Sequence, residues 1–288
     1  MASDHEQQQG SPEEKRAGEQ AQKNDAQIKH EVMQKYGKIP LTFVPNQGQL
    51  KAEYSLYATG SGFRFAFLKE KVILTFYKRS KQEQPEEAKA DEQGIKTAEQ
   101  LERSALGRRK KEASLTKTEG INLILRFVDA ATVEPRGQKE AGGKVNYFRG
   151  RKKENWVRGL PMYKEVVYEG LWPGVDATFH GRKGQLKYDF TVQADAEIDK
   201  IRLFYGGADK ISLNDEGKLE IHTPYGIIYE EKPVSYQMCE GEQKEVATRF
   251  CLYDDQTIGF ALEEEADSSL PLTIDPALHY LSLVTEID

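Results

Sequence analysis

Asp176 and Asp189 come nearest to a reaction in this chain. Glycoside hydrolysis needs two carboxyls roughly 5–9.5 Å apart in one cleft. A hairpin turning near Arg182-Lys183 would set Asp176 opposite about Asp189. In Leu186–Val192, however, Tyr188, Phe190 and Val192 share one face, and Lys187, Asp189 and Thr191 share the more polar one. Like charges directly opposed on a sheet repel, so Asp189 is expected to bond a neighbouring strand or turn, with a shared Lys or Arg partner. No catalytic residue is assigned. His5, His30, His180, His222 and His279 are scattered without metal-ligand spacing, and no HExxH is present. His180 shares a face with Asp176 at i, i+4, but two groups do not make a site, and no metal site is expected. Asn214-Asp215-Glu216-Gly217 reads as a hairpin turn rather than a calcium loop. Gly142-Gly143 precedes a strand rather than a helix, G-x-S-x-G is absent, and neither cysteine has a positioned histidine. No cofactor is expected, and the chain does not read as an enzyme.

Aromatic residues are the other source of chemistry. Tyr147, Phe148, Trp156, Tyr163, Tyr168 and Trp172 crowd one stretch. Such rings build sugar platforms and protein hot spots, but they also build cores. Trp156, in the charged run Lys152-Lys153-Glu154-Asn155, is expected to be partly exposed. With Tyr147 and Tyr163 it forms the candidate ligand-binding set. Trp172, before Pro173-Gly174, reads as a buried corner.

These residues are carried by strands. Val72, Leu74 and Phe76 alternate, as do Ile121, Leu123, Leu125 and Phe127. Further strands are expected near 144–149, 164–169, 175–181, 185–193, 199–206, 209–214, 217–223, 226–231, 233–239, 245–253, 257–263 and 271–275. Tight turns such as Thr223-Pro224-Tyr225-Gly226 join them. The expected class is all-β: an antiparallel β-sandwich-like body, in one piece or two packed lobes at 39–160 and 161–280. Residues 1–38 read as a disordered tail with a short amphipathic helix through Ile28, Val32 and Tyr36. Residues 80–118 read as a long charged insert between adjacent strands, and 281–288 as a tail or the start of a downstream region.

A net charge of −6 argues against a nucleic-acid binder. No window approaches the ~20 apolar residues of a membrane span, so no membrane insertion is expected. The N-terminus lacks the apolar core of a secretory signal, which suggests either a lost leader or a protein first used inside a cell. Cys239 and Cys251 are too few for a disulfide framework. If 233–239 and 245–253 turn at Glu240–Gln243, Cys239 faces about Lys244 and Cys251 about Lys232, beyond bridging distance. Free, partly buried thiols are expected.

Ile39-Pro40-Leu41-Thr42-Phe43-Val44-Pro45-Asn46-Gln47-Gly48-Gln49 resembles the opening of the domain that precedes SBBP (seven-bladed β-propeller type) repeats in bacterial surface proteins. The likeness continues through Val145-Asn146-Tyr147-Phe148, Trp156, Pro173-Gly174-Val175-Asp176, Lys187-Tyr188-Asp189-Phe190, Tyr205-Gly206-Gly207-Ala208 and Leu272-Thr273-Ile274-Asp275-Pro276. It covers about 39–280. The resemblance implies a non-catalytic β module of a secreted or surface-displayed bacterial protein. Other surface or coat proteins would be its partners, carbohydrate an alternative ligand, and a cell or spore surface its location. Tyr280–Leu283 resembles an altered start of such a repeat, so the chain reads as an excised fragment or a stand-alone domain.

Overall fold

The computed structural model describes residues 41–81, 116–148, 150, 152–182, 185–253 and 256–279. Its strands are β1 (Val44–Pro45), β2 (Leu56–Gly60), β3 (Phe63–Phe67), β4 (Lys71–Lys81), β5 (Thr116–Phe127), β6 (Arg136–Phe148), β7 (Trp156–Trp172) and β8 (Val175–Arg182). They continue as β9 (Gln185–Val192), β10 (Leu203–Gly206), β11 (Lys210–Leu213), β12 (Leu219–Thr223), β13 (Gly226–Cys239), β14 (Glu242–Leu252), β15 (Thr257–Leu262) and β16 (Leu272–His279). Period-two alternation marks β8, β9, β10 and β12. In β9, Leu186, Tyr188, Phe190 and Val192 are buried while the residues between them are half-buried.

Residues 41–181 and 185–279 belong to one compact unit. Its strands follow the hydrogen-bonded order β1-β2-β3-β4-β5-β10-β15-β14-β13-β16-β9-β8-β7-β6, with β12 and β11 branching from β13. Phe43, just before β1, exchanges both backbone hydrogen bonds with Tyr163 of β7 at 2.9 and 2.8 Å. The sheet therefore curls back on itself and nearly closes as a barrel, which leaves few unpaired edges. Aromatic rings fill the interior. Phe67 of β3 meets Phe179 of β8 at 5.4 Å, and Phe190 of β9 meets Phe260 of β15 at 5.7 Å. Edge-to-face and tilted contacts of this kind add to area burial.

All-β, antiparallel character is as expected, and every registered pair is antiparallel. The layering differs from two separate sheets. The 160/161 boundary falls inside β7, and one core cluster draws on both sides of it. Several strand bounds also shift. β6 starts at Arg136, because a Gly- and Lys-rich segment still pairs with β7. The two strands expected at 226–231 and 233–239 are one, with a register shift between Glu231 and Val234. β10 begins only at Leu203, since Ile198–Lys200 is a 3-10 turn. β4 and β5 pair as far as Lys81 and Thr116, into the expected insert from both ends. The rest of that insert, the N-terminal helix and the segment 281–288 lie outside the described residues.

The cysteine register is corrected too. Glu240-Gly241, both at positive φ, make a tighter turn than expected. Cys239 therefore faces Glu242, and Cys251 faces Gly259 on β15. Both thiols are free and half-buried.

Candidate binding surface

Among the described residues the most exposed ring, Phe148, lies at the far end of the β6–β7 hairpin. Phe148 and Trp156 are direct cross-strand partners, so their side chains leave the same face and meet at 5.1 Å, edge to face. Arg158, two residues along β7, must share that face. Its guanidinium lies 5.1 Å from the Trp156 ring centre and 5.4 Å from that of Phe148. The Trp156 Nε1–H donates to the Gly150 carbonyl at 3.1 Å, which pins the indole against the turn. Phe148 is 59% exposed, and Trp156 is half-buried as the sequence suggests.

The expected trio does not form one surface. Tyr147 pairs with Val157 and so projects from the opposite face of the hairpin to Trp156. Tyr163 lies further down β7 and packs over Gly137, where an added Cβ would come within 2.1 Å of the ring. Sequence reasoning passed over Phe148 and Arg158 as site residues. Their signal was the Trp-x-Arg spacing together with a hairpin register that places Phe148 opposite Trp156.

Other constellations have the residue types of chemistry but not its geometry. Asp176 and Asp189 do not form a pair. Asp176 Oδ1 accepts the Gly170 N–H at 2.7 Å, whereas Asp189 Oδ2 lies 2.9 Å from His180 Nε2. The partner of Asp189 is thus a histidine of β8 rather than the expected Lys or Arg. The Asp189 hydrogen bond raises the His180 pKa, against partial desolvation. Ser212 Oγ and Glu220 Oε2 both approach His222 Nε2, at 2.9 and 3.4 Å. A triad base must face its serine with one ring nitrogen and its acid with the other, so this is a surface cluster. Asn214 Oδ1 accepts the N–H groups of Glu216 and Lys218, each at 3.0 Å, which makes the 214–217 segment an Asx-stabilised hairpin turn.

Glu230 is the buried acid. It is 0% exposed, with Tyr188 donating to Oε2 at 2.8 Å and Tyr205 donating to Oε1. The two hydroxyls lie 3.4 Å apart, so carboxyl and phenols close a ring joining β9, β10 and β13. Burial pushes the Glu230 pKa up to about 7, against the lowering effect of the tyrosine hydrogen bonds. In the neutral ring each of three protons has an acceptor, so the acid can stay protonated in the core. Sealed from solvent, it can meet no substrate.

An open groove of about 890 Å³ runs between the 46–55 loop and residues 68–71 and 132–134. The loop is held by its own side chains. Asn46 Nδ2 donates to the carbonyls of Lys51 and Tyr54 at 2.7 Å, and its Oδ1 accepts from Gly48 and Leu50. Gln49 Nε2 donates to the Pro45 carbonyl at 2.7 Å. Pro45-Asn46-Gln47-Gly48-Gln49 is thus a folding device. Two of the groove's carboxylates are engaged: Lys69 reaches Glu134 at 3.1 Å, and Thr132 donates to Glu70 at 2.7 Å. The Ser55 hydroxyl, with Lys69, holds the Glu134 carboxyl below its ordinary range.

Among the described residues, no three of His, Cys, Asp and Glu gather as metal ligands would, and no helix is long and apolar enough to cross a membrane. Neither the curated proteins nor the solved structures include a match to this chain. A family model does match it over residues 43–277, from the strand-closing Phe43 to β16, and the chain belongs to that family, described as Domain of unknown function (DUF7948).

Proposed function

We propose that this protein is a non-catalytic interaction module of a bacterial surface-associated protein, an all-β body that meets its target through the β6–β7 hairpin. The observation that carries this reading is the hairpin's exposed aromatic and cationic face, built from Phe148, Trp156 and Arg158. Elsewhere, the carboxylates and histidines weighed as catalytic groups are held in hydrogen bonds within the fold or sealed in the core. The sequence resemblance to domains preceding SBBP repeats supports a surface setting, with other coat or surface proteins as neighbours.

Side chains rather than a strand edge carry the contact. β6 ends the strand order, but two register shifts interrupt its pairing with β7, and Lys139 and Gly143 adopt positive φ. Bulges and edge lysines of this kind discourage strand addition. A second reading, carbohydrate binding through exposed aromatics, is favoured by the 59% exposure of Phe148.

Retention on washed cell or spore surfaces tests the proposal. Labelled protein is expected to stay bound, and a Phe148→Ala/Trp156→Ala/Arg158→Gln triple variant to wash off while keeping its fold. Equal retention of the two would remove the hairpin from the account.

A further inference from the structure

Between Lys144 and Arg158 the sequence carries six basic residues against one acidic, Glu154, in a chain whose net charge is −6. Some lysines elsewhere meet carboxylates: Lys139 meets Glu165 at 2.7 Å nearer the base of the hairpin, Lys218 meets Glu216 at 2.9 Å, and Lys232 meets Glu263 at 2.7 Å. None of the ion pairs among the described residues involves Lys144, Lys152, Lys153 or Arg158. These four side chains are exposed. Arg158 is held by ring stacking alone, so its planar fork of N–H donors remains available to an anion.

We propose that the Phe148–Trp156–Arg158 face of the hairpin, with Lys144, Lys152 and Lys153 beside it, is the docking site for an acidic polysaccharide. This rests on the reading of the hairpin as the binding element. A sugar carboxylate or sulfate accepts the Arg158 fork, while the C–H face of the ring lies on exposed Phe148. The lysines interact with the next charged groups along the chain. Nucleic acid fits less well. Its phosphates are densely spaced, whereas the basic patch is small and the molecule as a whole is acidic. Trp156, covered by Arg158 and the edge of Phe148, offers no open ring for a base. A membrane also fits less well. The turn between Phe148 and Trp156 reads Arg-Gly-Arg-Lys-Lys-Glu-Asn, so the hairpin does not lead with an apolar residue as an inserting segment does.

Affinity electrophoresis and calorimetry of the full chain test the site, using polygalacturonate for carboxylates and dextran sulfate for sulfates. Neutral dextran, vesicles of phosphatidylglycerol and phosphatidylcholine, and an oligo-dT strand are the comparisons. An acidic glycan should bind in a salt-sensitive manner and neutral dextran should not. Arg158→Gln should weaken binding roughly tenfold, the size expected for a charge-assisted hydrogen bond. Arg158→Lys should recover only part of that loss, because it restores charge without the planar fork. Equal binding of neutral dextran, tighter binding of vesicles or oligo-dT, or unchanged affinity in the Arg158 variants overturns the assignment. Surface retention separates the two levels. If hairpin variants wash off surfaces but wild type ignores both acidic glycans, this inference fails and the interaction module stands. If wild type binds the glycans through Arg158 but hairpin variants stay on surfaces, the glycan site stands and the functional reading fails.

Discussion

In the barrel-like body, Lys218 and Lys232 each lie within 2.9 Å of a carboxylate, and the buried acid Glu230 closes a ring with Tyr188 and Tyr205. At the β6–β7 hairpin, Phe148 stands 59% exposed, and Arg158 rests on aromatic faces with no carboxylate recorded beside it. Both regions are antiparallel sheet made by the same alternation. The difference is where polar valence is spent. Where charges are paired with one another little is left for a ligand, while the tip of the hairpin keeps cations and rings open to one. Residue types alone are therefore a poor guide: the acids, histidines and serine that suggest catalysis belong to the satisfied region.

Substitutions on each side should separate stability from binding. The largest effect is expected from Phe179→Ala. Phe179 is fully buried and touches rings on β3, β7 and β9. Urea unfolding should show a loss of about 3–5 kcal/mol, with hairpin binding intact wherever the protein remains folded. Lost binding in the folded fraction would mean that the two regions are coupled.

Next is the pH dependence set by Glu230. Its folded pKa of about 7 exceeds the unfolded carboxyl value of about 4.3. Between those values the native state holds a proton that the unfolded state has released, so stability falls as pH rises through this window. The accumulated loss is about 3–4 kcal/mol by pH 8, at 1.36 kcal/mol per unit. Glu230→Gln should flatten this part of the stability curve. A curve unchanged in the variant would show that Glu230 is not the titrating group.

His180 works in the same direction as Glu230. Its pKa is raised by Asp189, so its contribution is complete below the unfolded histidine value and fades as pH rises through the folded one. Asp189→Asn should cost about 1 kcal/mol or less at pH 5 and still less at pH 9, as read by thermal melts. A cost that grew with pH would contradict the ion pair. The smallest stability effect belongs to Phe148→Ala, about 0.5 kcal/mol or less for so exposed a side chain. The same change should visibly weaken surface retention. A loss of several kcal/mol would make Phe148 a core residue and erase the contrast between the regions.

The alternation of β9 and the turn residues at Thr223–Gly226 made the all-β class legible in the sequence, and they placed Tyr188 and Phe190 inward correctly. Closure of the sheet was not legible, because it depends on Phe43 meeting Tyr163, residues whose pairing no local pattern encodes. The Glu230 ring was hidden for a similar reason. In Ile227-Ile228-Tyr229-Glu230 the alternate face, Ile227 and Tyr229, is the more apolar, so period alone points Glu230 outward. Only Tyr188 and Tyr205, far away in sequence, reverse that choice. The sequence also leaves the partner of Asp189 open: a turn near Arg182-Lys183 sets it opposite about Asp176, whereas its carboxylate meets the His180 ring. That the candidate trio shares no face has a simpler reason. Tyr147 and Trp156 leave opposite faces once Phe148 is opposite Trp156, and sequence proximity carries no information about that register.

The most direct measurement is amide hydrogen exchange along the whole chain, with and without saturating polygalacturonate. The account predicts slowed exchange confined to residues 144–159, with β8, β9 and the 46–55 loop unchanged. Slowing centred on the groove beside Ser55 and Glu134, or no slowing anywhere, would contradict it.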